Sequence, residues 1–259
     1  MQRLWRPALP GGIHVCGCGH SGTSILTRLI GAHPRIHAIP GESGVAKKES
    51  YRRYRQALEG FWADTSAAGA ASWVEKTPKH VRHLAFILNA APSSRIVLIC
   101  RDPRDCVASL KRRYGRFGKA LRRWRHDNGR VLRWRTHPQV SLLRYEDLVR
   151  DPQATLEELM PRLGLAFDPS QLQYHRQEVS WYGGHQGGGG GSLGADAGAT
   201  QREPTQGQPS EHRQLRNQQI NQPLFNASGR FADQLTPVEI ALVHRRCTRL
   251  ARRLGYSLV

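Results

Sequence analysis

Long hydrophobic runs are absent from this sequence. No stretch approaches the ~18 consecutive apolar residues of a membrane-spanning helix, and residues 1–12 have no apolar region of the kind found in signal peptides. The five cysteines are odd in number and lack the spacing of a disulfide framework. These features predict a protein without a membrane span in a reducing, cytoplasmic environment.

Acidic residues are scarce relative to basic ones. The sequence has 20 Asp plus Glu against 39 Lys plus Arg, for a formal net charge of +19. Such an excess predicts an anionic partner: a nucleotide, nucleic acid, an acidic glycan or a membrane surface.

Strand-like and helix-like segments alternate along the sequence. Short apolar runs predict strands at residues 13–16, 36–39, 73–74, 96–100 and 140–143. Helical spacing or helix-start signals predict helices at residues 25–30, 45–62, 79–89, 103–110, 156–163 and 237–254. The alternation predicts an α/β fold, a P-loop-like parallel sheet flanked by helices, in a single domain over residues 1–259.

Two segments depart from this alternation. Residues 183–210 include a run of glycines at 187–191 and little that could pack, which predicts a flexible loop. Residues 112–135 are rich in arginine and contain Trp124 and Trp134, a composition typical of an exposed basic helix pair. Such a pair could contact nucleic acid, although a cofactor-facing or solvated surface is the favoured interpretation.

A glycine-rich loop follows the first predicted strand. Residues 17–24 read Gly-Cys-Gly-His-Ser-Gly-Thr-Ser and precede a helix, where backbone N–H groups and the helix dipole can hold a phosphate. The spacing matches a P-loop, but Thr23 stands in the place of the P-loop lysine. Because that lysine clamps the β- and γ-phosphates, the loop is predicted to bind phosphate without cleaving a triphosphate. No acidic cluster with metal-ligand spacing accompanies it, so no required metal is predicted.

A second motif follows the clearest strand. Arg101 lies at the carboxyl end of that strand, where α/β sheets bind ligands. Ser109 lies about two turns into the next helix, so both side chains could reach one phosphate.

Together these segments resemble the family of sulfotransferases that use 3′-phosphoadenosine 5′-phosphosulfate (PAPS). Residues 19–24 are similar to its 5′-phosphosulfate loop, and residues 101–109 to its 3′-phosphate site. Residues 144–148, Arg-Tyr-Glu-Asp-Leu, resemble a third block of the family. Residues 75–80, Glu-Lys-Thr-Pro-Lys-His, resemble a block of bacterial members and of Golgi-type carbohydrate and tyrosylprotein members.

The resemblance implies which residues bind the donor. It assigns that role to Gly19, His20, Ser21, Gly22, Thr23, Ser24, Arg101, Ser109 and Tyr145. The long basic signature near the C-terminus of the cytosolic aryl members is absent, and residues 226–231 are its candidate counterpart, which adds Ser228 and Arg230. His20 stands where many members carry Lys or Arg.

Three residues are predicted to act on the transferred group. His20 and Lys76 would offset charge on the bridging and sulfuryl oxygens. Glu42 is the predicted general base, because it follows the strand at 36–39 and a parallel sheet would place it at the edge that carries the phosphate loop. Glu75 and His80 are the alternative bases.

The predicted function is sulfuryl transfer from PAPS to a hydroxyl or amine of a small molecule, glycan, lipid or peptide. One alternative is a P-loop kinase or nucleotidase, which would need a triphosphate and Mg²⁺, and the missing P-loop lysine disfavours it. The other is a basic nucleic-acid-binding protein built on residues 112–135, which leaves the glycine loop without a role. Nucleic acid is therefore not the predicted partner.

Overall fold

The computed structural model describes residues 8–182 and 209–258. Within these residues, parallel strands form a sheet in the order β2-β3-β1-β4-β5. The strands are β1 (Ile13–Gly17), β2 (Ile36–Ala38), β3 (Ser72–Lys76), β4 (Arg95–Cys100) and β5 (Val140–Arg144). The parallel sheet confirms the predicted α/β class.

Helices connect and cover the strands. They are α1 (Thr23–Gly31), α2 (Tyr51–Ala67), α3 (Leu84–Ala90), α4 (Pro103–Tyr114), α5 (Phe117–Trp134), α6 (Tyr145–Arg150), α7 (Pro152–Arg162), α8 (Pro209–Ile220) and α9 (Pro237–Arg253). Short 3-10 helices occur at Pro78–Arg82, Pro169–Arg176 and Arg230–Asp233. None of the described helices is both long enough and apolar enough to cross a bilayer.

The glycine-rich segment predicted at residues 183–210 falls almost wholly outside the described residues. Its last two positions are described, and they begin α8 rather than continuing a loop.

Both faces of the sheet are covered, as near-continuous apolar strands require. Ile13 and Val15 of β1 join one core cluster with residues of α1, α6 and α7. Cys16 points to the opposite face and joins a second cluster with residues of α2, α4, α5 and α9. Cys16 and Cys100 are buried free thiols, consistent with their interpretation as small core residues.

The helix predicted at residues 79–89 is divided in two. A 3-10 helix at Pro78–Arg82 is followed by α3, and His83 between them has φ −122° and ψ 16°, outside the helical region. The residues expected to face inward, Val81, Leu84 and Leu88, are buried. The prediction of an inward face therefore holds across the break.

The prediction of an exposed basic helix pair at residues 112–135 is wrong for one face of α5. Trp124 is fully buried, and its Nε1 donates to the carbonyl of Arg101 at 3.2 Å. Ala120 and Val131 are buried beside it at helical spacing, so this stripe belongs to the core. Trp134 is partly buried against the same core. The stripe supports β4 and leaves Trp124 unable to stack on a nucleic-acid base.

Candidate active site

The predicted site residues meet at the carboxyl edge of the sheet, where parallel strands all end. β1 ends at Gly17 and enters the glycine loop, β3 ends on Lys76, and Arg101 directly follows β4. Glu42 follows β2 after a short turn, and Tyr145 follows β5 as the first residue of α6. Each strand of the sheet thus contributes to one region.

The loop between β1 and α1 presents backbone donors. Among the described residues, no side chain caps the N-terminus of α1. First-turn N–H groups have no acceptor within their own helix, so those of Thr23 and Ser24 can bind an anion. Gly22 precedes them with φ 94°, and a Cβ there would lie 2.6 Å from Cδ2 of Tyr145. Only glycine fits at this position.

His20 connects the glycine loop to α4. Its φ of 70° is left-handed, which is uncommon outside glycine and costs backbone strain. The Nδ1 atom of His20 lies 2.9 Å from Oγ of Ser109, and Arg101 donates to the carbonyl of His20 at 3.4 Å. The two predicted phosphate-binding motifs are therefore in direct contact.

Arg101 is buried, and one of its donors has no partner in the described part of the chain. Its guanidinium lies 4.4 Å from the ring centre of Tyr145 and donates to the carbonyl of Ala227 at 2.6 Å. The residue is 9% exposed, and within the described residues its Nε has no hydrogen-bond partner. A buried cation with a spare N–H is suited to bind an anion. The ring of Tyr145 packs between Arg101 and Gly22.

The C-terminal segment at residues 226–231 reaches the same region. The carboxylate of Asp105 accepts from the backbone N–H groups of Gly229 and Phe231 at 2.9 and 3.0 Å. This holds the turn that carries Ser228 and Arg230 beside Arg101. Asp105 is not among the predicted site residues, although an acidic residue in the first turn of a helix is a recognisable signal.

Lys76 and Glu42 form an ion pair at the end of β3. Lys76 is 1% exposed, and its Nζ donates to Oε1 of Glu42 at 3.0 Å and to the hydroxyl of Tyr182 at 2.8 Å. Arg216 donates to the same oxygen of Glu42 at 2.9 Å. Burial alone would raise the pKa of Glu42, but the charges of Lys76 and Arg216 outweigh it, so this pKa lies below its usual value. Glu42 is thus a carboxylate at neutral pH.

Tyr182 and Arg216 lie at the candidate site but are not among the residues predicted from the sequence. The hydroxyl of Tyr182 lies 3.0 Å from Oγ of Ser24, and the guanidinium of Arg216 lies 3.8 Å from its ring centre. Both residues follow the last strand, in segments without apolar periodicity. The available signal is the aromatic pair Trp181 and Tyr182 beside the glycine-rich stretch.

Glu75 is buried behind the site in a cluster of donors. Its Oε1 accepts from Nδ1 of His14 at 2.8 Å and of His80 at 2.7 Å. Its Oε2 accepts from the hydroxyls of Ser43 at 2.6 Å and Thr77 at 3.0 Å. Burial would raise the pKa of Glu75, but the two histidines and their hydrogen bonds hold it well below its usual value. Both carboxylate oxygens are occupied, so Glu75 is not placed to take a proton from an acceptor.

The same cluster has the composition of a metal site. Ligand atoms of His14, Glu75 and His80 lie within 4.8 Å of one another. Nε2 of His80 accepts from the backbone N–H of Ala46 at 3.2 Å, and Nε2 of His14 contacts the hydroxyl of Tyr54 at 3.1 Å. The first contact places the proton of His80 on Nδ1, so the nitrogen aimed at Glu75 is a donor and not a metal ligand.

Comparison with known sequences decides the family. The sequence model of the sulfotransferase family matches residues 40–169, half of the chain, from just before Glu42 to the start of the 3-10 helix at Pro169–Arg176. This chain belongs to the sulfotransferase family. Among curated protein sequences, none matches significantly.

Solved sulfotransferase structures share the fold over nearly the whole chain. The sulfotransferase domain of the Synechococcus PCC 7002 olefin synthase matches with a TM-score of 0.65 at 17% identity, covering 100% of this chain and 99% of that one. The sulfotransferase domain of the curacin biosynthetic pathway matches with a TM-score of 0.56 at 18% identity, covering 98% and 100%. Mouse sulfotransferase SULT7A1, in complex with PAP, matches with a TM-score of 0.59 at 14% identity, covering 95% of this chain and 85% of that one. At these identities the likeness establishes the fold.

Proposed function

We propose that this sulfotransferase moves a sulfuryl group from PAPS to a hydroxyl or amine acceptor. The observation that carries the proposal is the arrangement around one loop. The N-terminus of α1 and the guanidinium of Arg101 would be two anion sites, joined by the contact between His20 and Ser109. The ion pair of the buried Lys76 and the solvent-accessible Glu42 is linked to the same loop through the hydroxyl of Tyr182, which contacts Lys76 and Ser24.

The donor would be held at its two phosphates. Backbone N–H groups of Gly22, Thr23 and Ser24 would bind the 5′-phosphate, in the loop that also contains Gly19 and Ser21. Arg101 and Ser109 would bind the 3′-phosphate, with Ser228 and Arg230 alongside. Tyr145 supports this grip through its stacking on Arg101. A 3′-phosphate site distinguishes PAPS from ATP.

The transfer itself would be an in-line displacement at sulfur. Glu42 takes the proton of the acceptor hydroxyl as its oxygen bonds to sulfur, and the bond from sulfur to the phosphate oxygen breaks. Lys76 and His20 would offset the charge that grows on the sulfuryl and leaving oxygens. The contact of Lys76 with Glu42 supports this division of roles, because one ion pair supplies both the base and the cation.

The acceptor and the compartment complete the proposal. A small molecule or a glycan is the favoured acceptor, and lipids and peptides carry the same reactive groups. No required metal is proposed. The five free and buried cysteines fit a reducing compartment such as the cytoplasm.

A ranking of nucleotides tests the donor. Adenosine 3′,5′-bisphosphate at a hundredfold excess over its dissociation constant should stabilise the fold by about 2.7 kcal/mol. ATP with Mg²⁺ should stabilise it much less, because no P-loop lysine is present to hold a γ-phosphate. Thermal unfolding with each nucleotide measures both. A larger shift with ATP–Mg²⁺ than with the bisphosphate would favour a kinase instead.

A further inference from the structure

Tyr182 lies between the two halves of the proposed site. Its hydroxyl is 2.8 Å from Nζ of Lys76 and 3.0 Å from Oγ of Ser24. Lys76 ends β3 and Ser24 lies in the first turn of α1, so the hydroxyl joins the ion pair of Lys76 and Glu42 to the phosphate loop. Tyr182 is 9% exposed, which protects these contacts from competing water.

The ammonium group fixes the direction of one hydrogen bond, and an anion in the loop would fix the direction of the other. An ammonium group can only donate, so the oxygen of Tyr182 accepts from Lys76. Either hydroxyl can donate in the contact between Tyr182 and Ser24. With an anion bound in the loop, Ser24 would donate to the anion and the tyrosine hydroxyl would donate to Ser24. Hydrogen bonds in series polarise one another, so the charge of Lys76 strengthens Ser24 as a donor toward an anion in the loop.

Several contacts hold Tyr182 in this place. The amide of Asn217 accepts from its backbone N–H at 3.0 Å and donates to its carbonyl at 2.7 Å. Arg216 lies over its ring and also binds Glu42. Tyr182, Lys76, Glu42 and Arg216 therefore form a closed ring of contacts, in which the hydroxyl has a defined position.

We propose that Tyr182 is a positioning residue for sulfuryl transfer, which relays the charge of Lys76 through Ser24 to the 5′-phosphate of the donor. The inference rests on the function proposed above. Charge on that phosphate grows as its bond to sulfur breaks, and it is largest in the bisphosphate product. The relay should therefore favour the transition state and the bisphosphate over PAPS. Tyr182 neither gains nor loses a proton over the cycle.

The variant Tyr182→Phe tests this directly, because it keeps the ring under Arg216 and removes the hydroxyl. Single-turnover conversion of PAPS to the bisphosphate, with water as the acceptor, should slow by about tenfold or more. Calorimetry should show weaker binding of the bisphosphate and an affinity for PAPS within about twofold of wild type. A matched control, Tyr174→Phe, loses a hydroxyl that donates to the carbonyl of Gln222 at 2.7 Å and should leave all three values unchanged.

A double variant shows whether the tyrosine acts through the lysine. In a Lys76→Ala background, Tyr182→Phe should change the rate little, so that the two losses are not additive. Ser24→Ala interrupts the relay at its other end and should likewise weaken bisphosphate binding more than PAPS binding. This variant keeps the test decisive if Tyr182→Phe does not fold. Additive losses, equal weakening of both nucleotides, or an unchanged rate would overturn the inference. A wild-type protein that binds neither nucleotide and forms no bisphosphate would instead contradict the proposed function, and the relay with it.

Discussion

Replacing Arg101 by alanine should release the 3′-phosphate of the donor. The guanidinium is held at 2.6 Å by the carbonyl of Ala227, stacks at 4.4 Å on Tyr145, and has an unpartnered Nε among the described residues. Its pairing with a phosphate would be charge-assisted and little screened, since the residue is 9% exposed. We expect Arg101→Ala to cost about 2–4 kcal/mol of bisphosphate binding, roughly a thirtyfold to several hundredfold loss of affinity.

Calorimetry with two nucleotides separates the phosphate contact from a general loosening of the site. Arg101 also donates to the carbonyl of His20, so part of the loss is structural and will affect any nucleotide. Adenosine 5′-monophosphate lacks the 3′-phosphate and reports only that part. Arg104→Ala is the control, because Arg104 pairs with Asp102 at 2.9 Å and should leave the ratio of the two affinities unchanged. Equal losses for both nucleotides in Arg101→Ala would refute the assignment.

Two further variants test the base and the buried cluster. Glu42→Gln keeps the shape and removes the base, so turnover should fall about 10²–10⁴-fold while bisphosphate binding persists. Near-normal turnover under conditions where the chemical step limits the rate would show that Glu42 is not the general base. The lowered pKa of Glu75 should stabilise the fold above the unfolded value of 4.5, and this stability is lost as the pH falls through the folded value. Burial lowers the pKa of His14, so its stabilisation is likewise lost as the pH falls below 6.5. Unfolding free energies measured by denaturant titration should therefore fall on acidification, and the part of the fall below pH 4.5 should be shallower in Glu75→Gln. An equal fall of the unfolding free energy in that variant would show that the cluster around Glu75 does not cause the pH dependence.

The edge at which the site forms could be predicted from the order of elements. Glu42, Lys76 and Arg101 each follow a predicted strand, and parallel strands bring such positions to one edge. The glycine loop could also be predicted, because its motif is defined by the spacing of residues that are close in sequence. Local patterns of this kind can be recognised in the sequence, since they do not depend on which strands become neighbours.

Contacts that depend on register could not be predicted. His14 lies opposite Glu75 because β1 pairs with β3, and neither strand signals that partner by itself. The contact of Tyr182 with Lys76 is harder still to predict, since Tyr182 lies in a segment with no strand or helix pattern. The burial of Trp124 could have been predicted, because Ala120, Trp124 and Val131 recur at helical spacing within the arginine-rich segment.

The most direct test of the account is mass spectrometry of candidate acceptors incubated with the protein and PAPS. We expect an acceptor to gain SO₃ while an equal amount of bisphosphate forms, and we expect Glu42→Gln to abolish most of this product. Incubation with ATP and Mg²⁺ should give no phosphorylated product. Phosphorylation from ATP without any transfer of SO₃ from PAPS would contradict the account.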